Sequence, residues 1–366
     1  MPDQSRGDLH QGGIRGRGAH LQTPNRFERL HTESDFEHLD ELEAIEGQPQ
    51  SVETQYLPDN SQSIIAENDS PDIGFRYSLN PYRGCAHGCV YCYARPTHEY
   101  LGMSAGLDFE SKIMVKHDAP ALFRKWLGRK NWQPEMIAMS GVTDCYQLAE
   151  RRFGLTRGCL EVAAEARQPT GIVTKNALIT RDLEVLREMT RHHVIHVAIS
   201  VTTLDKELAH TMEPRTSPPR SRLKAIATLA DAGIPVNVMV APIIPGLNDS
   251  EIPAILKAAA EAGAMSASYV MLRLPLNVKP IFVEWLERKM PSHKERVLSR
   301  IRSTRDGSLS NSEFGKRMRG EGPIAEQIKQ TFNVVAAKHG LNRKLSPLSA
   351  DGFRRPTMTS GQGWLF

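Results

Sequence analysis

Asn80-Pro-Tyr-Arg-Gly-Cys-Ala-His-Gly-Cys-Val-Tyr-Cys-Tyr-Ala-Arg95 sets Cys85, Cys89 and Cys92 in the spacing C-x3-C-x2-C. Glycines punctuate the stretch, so it reads as a tight loop directly after a short strand at Phe75–Leu79. Soft thiolates select iron–sulfur clusters or zinc. Three on one loop can hold three corners of a [4Fe–4S] cube and leave one iron open to another ligand. Zinc would need a fourth ligand, which His87 or His98 would have to supply. A Cys89-x-x-Cys92 redox pair is the third reading. Five cysteines, with Cys145 and Cys159 isolated, do not make a disulfide framework, and this usage reads as a cytosolic (cytoplasmic) protein.

Outward from this loop, short β-branched runs at Met136–Met139, Gly171–Thr174, Val194–Val201, Val236–Val240 and Ser268–Leu272 read as buried parallel strands. Helical patterns separate them, at Ala119–Leu127, Leu155–Arg167, Thr180–Arg191, Pro218–Ala232 and Ser250–Ala262. Six strands are too few for a closed eight-stranded barrel, so the α/β fold expected is a partial (βα)6, TIM-like barrel. After Pro275 the alternation ends, and Phe282–Lys289, Pro291–Arg302 and Pro323–His339 read as a helical C-terminal extension. The domains expected are an N-terminal arm at 1–72, a core at 73–275, the extension at 276–344 and a flexible tail at 345–366.

The chain of 366 residues is long enough for one large domain or two ordinary ones, and 40% hydrophobic residues suit a soluble globular protein. No apolar run reaches the roughly 18 residues of a membrane span. The polar Met1–Gly18 lacks the apolar stretch of a signal peptide. The net charge of +4 hides an asymmetry. Residues 31–72 hold twelve acidic side chains and no Lys or Arg, whereas 273–366 carry +10. The acidic arm is expected to be disordered or extended, able to lie across the basic third. The basic third suits a polyanion or is a solvated face.

Motif, Tyr91 and the βα pattern together resemble the radical SAM superfamily over roughly 73–275. The resemblance implies that Cys85, Cys89 and Cys92 hold a [4Fe–4S] cluster whose fourth iron binds S-adenosylmethionine. Reduction then yields methionine and a 5′-deoxyadenosyl radical that abstracts hydrogen from the substrate. By position, Ser140, Thr143 and Asp144 stand where the family often has a Gly-Gly-Glu segment for the SAM amine. Lys175 would meet the SAM carboxylate or be an ordinary surface lysine. Ser200 ends the strand where polar groups approach the ribose. Ile244, Gly246 and Asp249 match the adenine loop, although Asp249 also suits a helix cap.

Within the superfamily the chain resembles the spore photoproduct lyase-like, DNA repair photolyase-like branch. The marks are Arg15-Gly-Arg-Gly-Ala19, Asn25-Arg-Phe-Glu28, Asp69-Ser-Pro-Asp-Ile-Gly74, Arg95-Pro-Thr-His98 and Gly106-Leu-Asp-Phe109. This implies a lyase acting on damaged nucleic acid, with Cys145 as a hydrogen donor backed by Tyr146 or Tyr93, or else Cys145 as a small core residue. Cys159 reads as core filler. Glu213, Arg215 and Arg222 read either as ligands for substrate or SAM or as structural ion pairs. Arg296, Arg300, Arg302, Arg305, Lys316, Arg317 and Arg319 would hold phosphates. Radical modification of RNA or protein, and a non-catalytic DNA-associated iron–sulfur or zinc protein, are the rival readings. An electron-donor protein is implied as a partner. Gln362-Gly-Trp-Leu-Phe366 resembles a sliding-clamp docking peptide, or folds back on the chain's own helices.

Overall fold

A computed structural model describes residues 8–9, 14–27 and 52–357. Six parallel strands form its centre, namely β1 (Tyr77–Leu79), β2 (Ile137–Met139), β3 (Thr170–Thr174), β4 (Ile195–Ser200), β5 (Val236–Ile243) and β6 (Ser266–Met271). They pair in chain order, and Ile65–Glu67 adds an antiparallel edge beside β1. Between them run α1 (Ala119–Leu127), α2 (Leu155–Ala166), α3 (Leu183–Arg191), α4 (Pro219–Asp231) and α5 (Ile252–Glu261). β1 and β6 do not pair, so the sheet is the expected open, partial barrel. Among the described residues no helix is long and apolar enough to cross a membrane.

Strand parity explains both the core and the hollow. Ile195, Val197 and Ile199 on β4, with Val236, Val238 and Val240 on β5, are at most 1% exposed and face the helices. The alternate positions face the lumen and include the small or polar Ala138, Gly171, Ala198, Asn237 and Ser266. Branched side chains fill the equivalent positions of a closed barrel. Here a cavity of about 400 Å³ is left at the N-terminal pole.

The extension comprises α6 (Val278–Lys289), α7 (Lys294–Ser303) and α8 (Gly322–Lys338). Beyond it the tail differs from the flexible one expected, because residues 341–357 strap the N-terminal pole. Leu341 O accepts from Ala267 N at 2.9 Å, Ser349 N donates to His193 O at 2.9 Å, and Arg354 N donates to Ala166 O at 3.0 Å. The clamp-like Gln362–Phe366 lies outside the described residues.

The arm is also docked where it is described. Gln55–Pro58 pairs in parallel with Lys112–Val115, and Ile14, Arg17, Ala19, His20, Leu21, Thr23 and Asn25 are buried. Polar, glycine-rich sequence carries no periodic apolar signal, yet it is ordered here by hydrogen bonds to other elements. Among the described residues the expected contact between acidic arm and basic third occurs at Asp72. It accepts from Arg317 Nε at 2.7 Å and from its Nη2 at 2.5 Å, joining the segment before β1, across the open seam, to the loop between α7 and α8, which lies on β6 through Met271 N donating to Met318 O at 2.9 Å.

The Arg317 hydrogen bonds hold the Asp72 carboxyl below its ordinary 3.8. Its stabilisation is therefore present above that value and is lost as pH falls through the lower folded-state value. Asp72→Asn should cost about 1 kcal/mol at pH 7. Denaturant melts of wild type and variant should converge as the pH drops below the carboxylate range. A constant gap down to acid pH would show that the pair does not close the seam.

Candidate active site

The three cysteines sit on the loop after β1, at the C-terminal pole where parallel barrels build their sites. Cys85 and Cys89 are buried, and Cys92 is half-buried. Burial first, then the neighbouring Cys85 thiol, push the Cys92 thiol up to about 11, and Cys89 is raised too, by burial and then Glu213. Three thiols close enough to oppose one another's ionisation in a dry pocket need a cationic group to hold them as thiolates. Among the described residues no three His, Cys, Asp or Glu side chains converge on one point as the ligands of a single ion do. Three soft donors arranged around a shared pocket fit a multi-iron cluster. Of the residues named for a zinc site, His87 lies within hydrogen-bond reach of the Cys85 thiol but has both ring nitrogens facing other partners, and His98 packs elsewhere. His87 Nδ1 faces Asp144 Oδ2 at 3.4 Å and its Nε2 faces Asn176 Nδ2 at 3.2 Å. His98 packs edge-on against Phe109, and burial lowers its pKa to about 4.

A loop without regular hydrogen bonding has to be braced from outside, and Arg95 does most of this. Its side chain is fully buried and donates to Cys89 O at 3.0 Å, Gly88 O at 3.2 Å, Ala105 O at 3.2 Å, Gly106 O at 2.9 Å and Glu110 Oε1 at 2.5 Å. Those five bonds use the guanidinium's whole donor set. Glu110 in turn accepts from Ala19 N at 2.7 Å and Gly18 N at 2.9 Å, which docks Arg15–Ala19 on the loop. A Cβ on Gly18 would lie 1.8 Å from Gly88 O, so only glycine allows this approach. Gln147 adds a further brace, accepting from Ala86 N and donating to Gly84 O, each at 2.9 Å. Arg95, Glu110 and Gln147 had no role assigned from sequence, although Arg15–Ala19, Arg95–His98 and Gly106–Phe109 stood out as marks.

The other expected site residues divide into open and engaged groups. Tyr91 donates to Glu213, which also pairs with Arg222 and accepts from Thr202 Oγ1 at 2.7 Å. Glu213 and Arg222 therefore form an internal ion pair, and Arg215 is pinned to Gly16 O at 2.9 Å. Lys175 is half-buried, with Nζ 5.8 Å from the Tyr91 ring centroid and 3.3 Å from Ala241 O, and burial lowers its pKa. Its ammonium has no carboxylate within salt-bridge reach among the described residues. Ser200 and Ile244 are buried, and Ser200 ends β4 on the lumen side. Gly246 N donates to Asp249 Oδ1 at 2.9 Å, and Asp249 lies 3.5 Å from Arg300.

Four of the candidates placed by position are engaged or buried within the fold. Asp144 accepts from Thr174 Oγ1, Tyr146 N and Lys175 N at 2.8–2.9 Å and faces His87, so its lone pairs are spent on bracing loops. Thr143 Oγ1 likewise donates to Tyr82 O at 2.7 Å, leaving Ser140, whose Oγ accepts from Cys145 N at 2.8 Å, as the open member of that trio. Tyr146 points away from the lumen, donating to Asp182 Oδ2 at 3.0 Å, and Cys145 is fully buried in the main core. Both follow a left-handed residue at Ser140 (φ 70°) that turns the chain back under the loop. Tyr93 alone of the three proposed catalytic side chains is open, at 48% exposure.

Removing one partner of the buried Arg95–Glu110 pair strands the other. Arg95→Leu should cost about 3–5 kcal/mol, read as a lower denaturant midpoint, and should lower iron content after anaerobic reconstitution. Gly18→Val should lower iron content as well, while wild-type iron loading in both variants would show that the loop needs no brace.

Comparisons with known proteins bear on this arrangement. The model of the radical SAM superfamily matches residues 79–259. An uncharacterised protein of Mycobacterium tuberculosis is 39% identical over 221 residues, which is 60% of this chain. The chain thus spans 65% of that relative's length. An uncharacterised protein of Methanocaldococcus jannaschii is 29% identical over 223 residues, 61% of this chain and 79% of its own. A mutant of spore photoproduct lyase has a similar structure, with a TM-score of 0.57 at 16% identity over 86% of this chain and 85% of that one. Spore photoproduct lyase complexed with dinucleoside spore photoproduct gives 0.56 at 16% identity over 78% and 79%. At such identity the likeness is one of fold. With the open six-strand barrel and three thiols at its C-terminal pole, the family match identifies residues 79–259 as a domain of the radical SAM superfamily.

Proposed function

We propose that the chain is a radical SAM enzyme acting on damaged or modified nucleic acid, as a photoproduct lyase-like repair activity. The observation that carries the radical SAM part is the triad of crowded thiols with the uncommitted Lys175 ammonium beside them. Cys85, Cys89 and Cys92 would hold a [4Fe–4S] cluster, and Lys175, Ser140, Ser200 and Ile244 would line the place of S-adenosylmethionine. When bound, the pair supplies reductively generated, hydrogen-abstracting radical chemistry.

The chain's own residues bind, orient and keep water out. Lys175 offers a cation to the SAM carboxylate, and its partial burial strengthens that attraction. Tyr91 is fixed by Glu213 beneath Lys175 and leaves its ring to cover the cluster loop. Val90, Ile244, Leu272 and Leu274, all at most 2% exposed, close the pocket wall with apolar surface. Such a wall would keep water away from the chemistry that the bound group supplies.

Support for a nucleic-acid substrate is of two kinds. The fold resembles that of spore photoproduct lyase, whose structure holds a dinucleoside lesion. Arg296 and Arg302 also line the exposed side of α7, available to phosphates, whereas Arg300 beside them faces Asp249 at 3.5 Å. The wider basic set proposed from sequence is smaller in fact. Arg305 is buried on backbone carbonyls, Arg317 pairs with Asp72, Lys316 pairs with Glu313 and Glu321, and Arg319 donates to Tyr269 O at 3.0 Å. An extruded base is cheapest to obtain at a lesion, where stacking is already weakened.

Cys92→Ala should abolish iron loading and SAM cleavage together, whereas Cys159→Ala, on the core face of α2, should leave both intact. Full SAM cleavage by the Cys92 variant would refute the assignment. The substrate class is tested by deoxyadenosine formation with lesion-bearing and undamaged oligonucleotides. Equal turnover on both would remove the repair reading and leave the radical SAM one standing.

A further inference from the structure

Arg273 stands two residues beyond β6, on the same pole as the cysteines, and the site described above gives it no task. Its Cζ lies 5.7 Å from the ring centroid of Tyr93, the residue after Cys92. Tyr93 is held by a 2.9 Å bond from its hydroxyl to Gly141 O beyond β2. Arg273 and Tyr93 thus bridge the open seam between the two ends of the sheet. Among the described residues Arg273 has no carboxylate within salt-bridge reach, and its hydrogen bond is a weak one to Met318 Sδ at 3.6 Å.

The surroundings make this cation costly. Burial first, and the Arg317 charge second, hold its pKa below the ordinary arginine value. Arg317 is neutralised by Asp72, while the buried Arg305 donates to Leu272 O at 2.6 Å and Lys316 O at 3.1 Å. A half-buried guanidinium without a counter-ion, beside others of its kind, is stabilised when an anion completes the site. Lys175 is close enough for its charge to act on both Cys89 and Cys92, and Arg95, which also acts on Cys92, has its donors filled, so Lys175 is the cation left for the SAM carboxylate.

We propose that Arg273 binds a backbone phosphate of the substrate strand and that the exposed face of Tyr93 stacks the neighbouring base. This rests on the nucleic-acid reading above and names the subsite that would serve it. A planar fork suits a phosphodiester, and an aromatic face accepts any base.

The test uses anaerobically reconstituted holoenzyme, with cluster absorption as the check on folding, and follows a fluorescent single-stranded oligothymidylate by anisotropy across a salt series. Arg273→Gln should weaken binding about 10-fold or more and lower the log–log salt slope by about 0.7, the loss of one phosphate contact. Arg273→Lys should keep the slope. Should the Gln variant fail to fold, Tyr93→Leu supplies the second readout, because it should lower affinity with the slope unchanged. Wild-type affinity and slope in Arg273→Gln, or in its absence wild-type affinity in Tyr93→Leu, would overturn the subsite, as would weakened SAM binding in Arg273→Gln with oligothymidylate binding unchanged. A wild-type enzyme that binds no oligonucleotide at all would instead overturn the nucleic-acid reading itself.

Discussion

The buried ion pair between Arg95 and Glu110 is the contact on which the cysteine loop depends. Both side chains are fully buried, so each has lost its hydration, and such a pair is favourable only when the remaining donors and acceptors are filled. They are filled here by the backbone of the very segments that must be held. Arg95 grips the carbonyls of Gly88 and Cys89 from inside the loop, and Glu110 takes the amides of Gly18 and Ala19 from outside it. Cysteine spacing along the chain therefore becomes a fixed spacing in space, held by side chains from the short helices Arg95–Leu101 and Leu107–Ser111.

The barrel was legible because each strand carries its own signal. β-Branched residues recur on the helix-facing side of β4 and β5, and acids and glycines mark the helix ends, so most predicted elements agree with the structure within a few residues. The arm at 14–27 was illegible for the converse reason. It buries polar and small residues, and its order comes from amides donating to a carboxylate 91 and 92 positions away. No local pattern encodes such a contact. The same holds for the strap at 341–357, whose bonds are made by its backbone.

Within the site, the cysteines could be read from spacing alone, whereas roles inferred from position fared unevenly. A residue that follows a strand end lies near the lumen only if the chain continues in that direction. The left-handed Ser140 reverses it, which sends Tyr146 to Asp182 and Cys145 into the core. Asp144 stays near the cysteines but is saturated by donors, so its carboxylate fixes β3 to the loop. Net charge misleads in a similar way. Formal excess in the last third overstated the surface available to a polyanion, because Arg305, Arg317 and Arg319 spend their donors within the fold.

The two poles of the barrel are finished differently, and the difference bears on what can enter. At the N-terminal pole the strap crosses the strand ends, with Arg343, Lys344 and Leu345 lining the cavity there. At the C-terminal pole side chains reach across the seam between β1 and β6, through Asp72–Arg317 and Arg273–Tyr93–Gly141. Backbone straps move as segments, whereas side-chain bridges can exchange one partner at a time by rotamer changes. The cysteines and Arg273, which has no carboxylate partner among the described residues, therefore stand at the pole whose bridges can exchange singly.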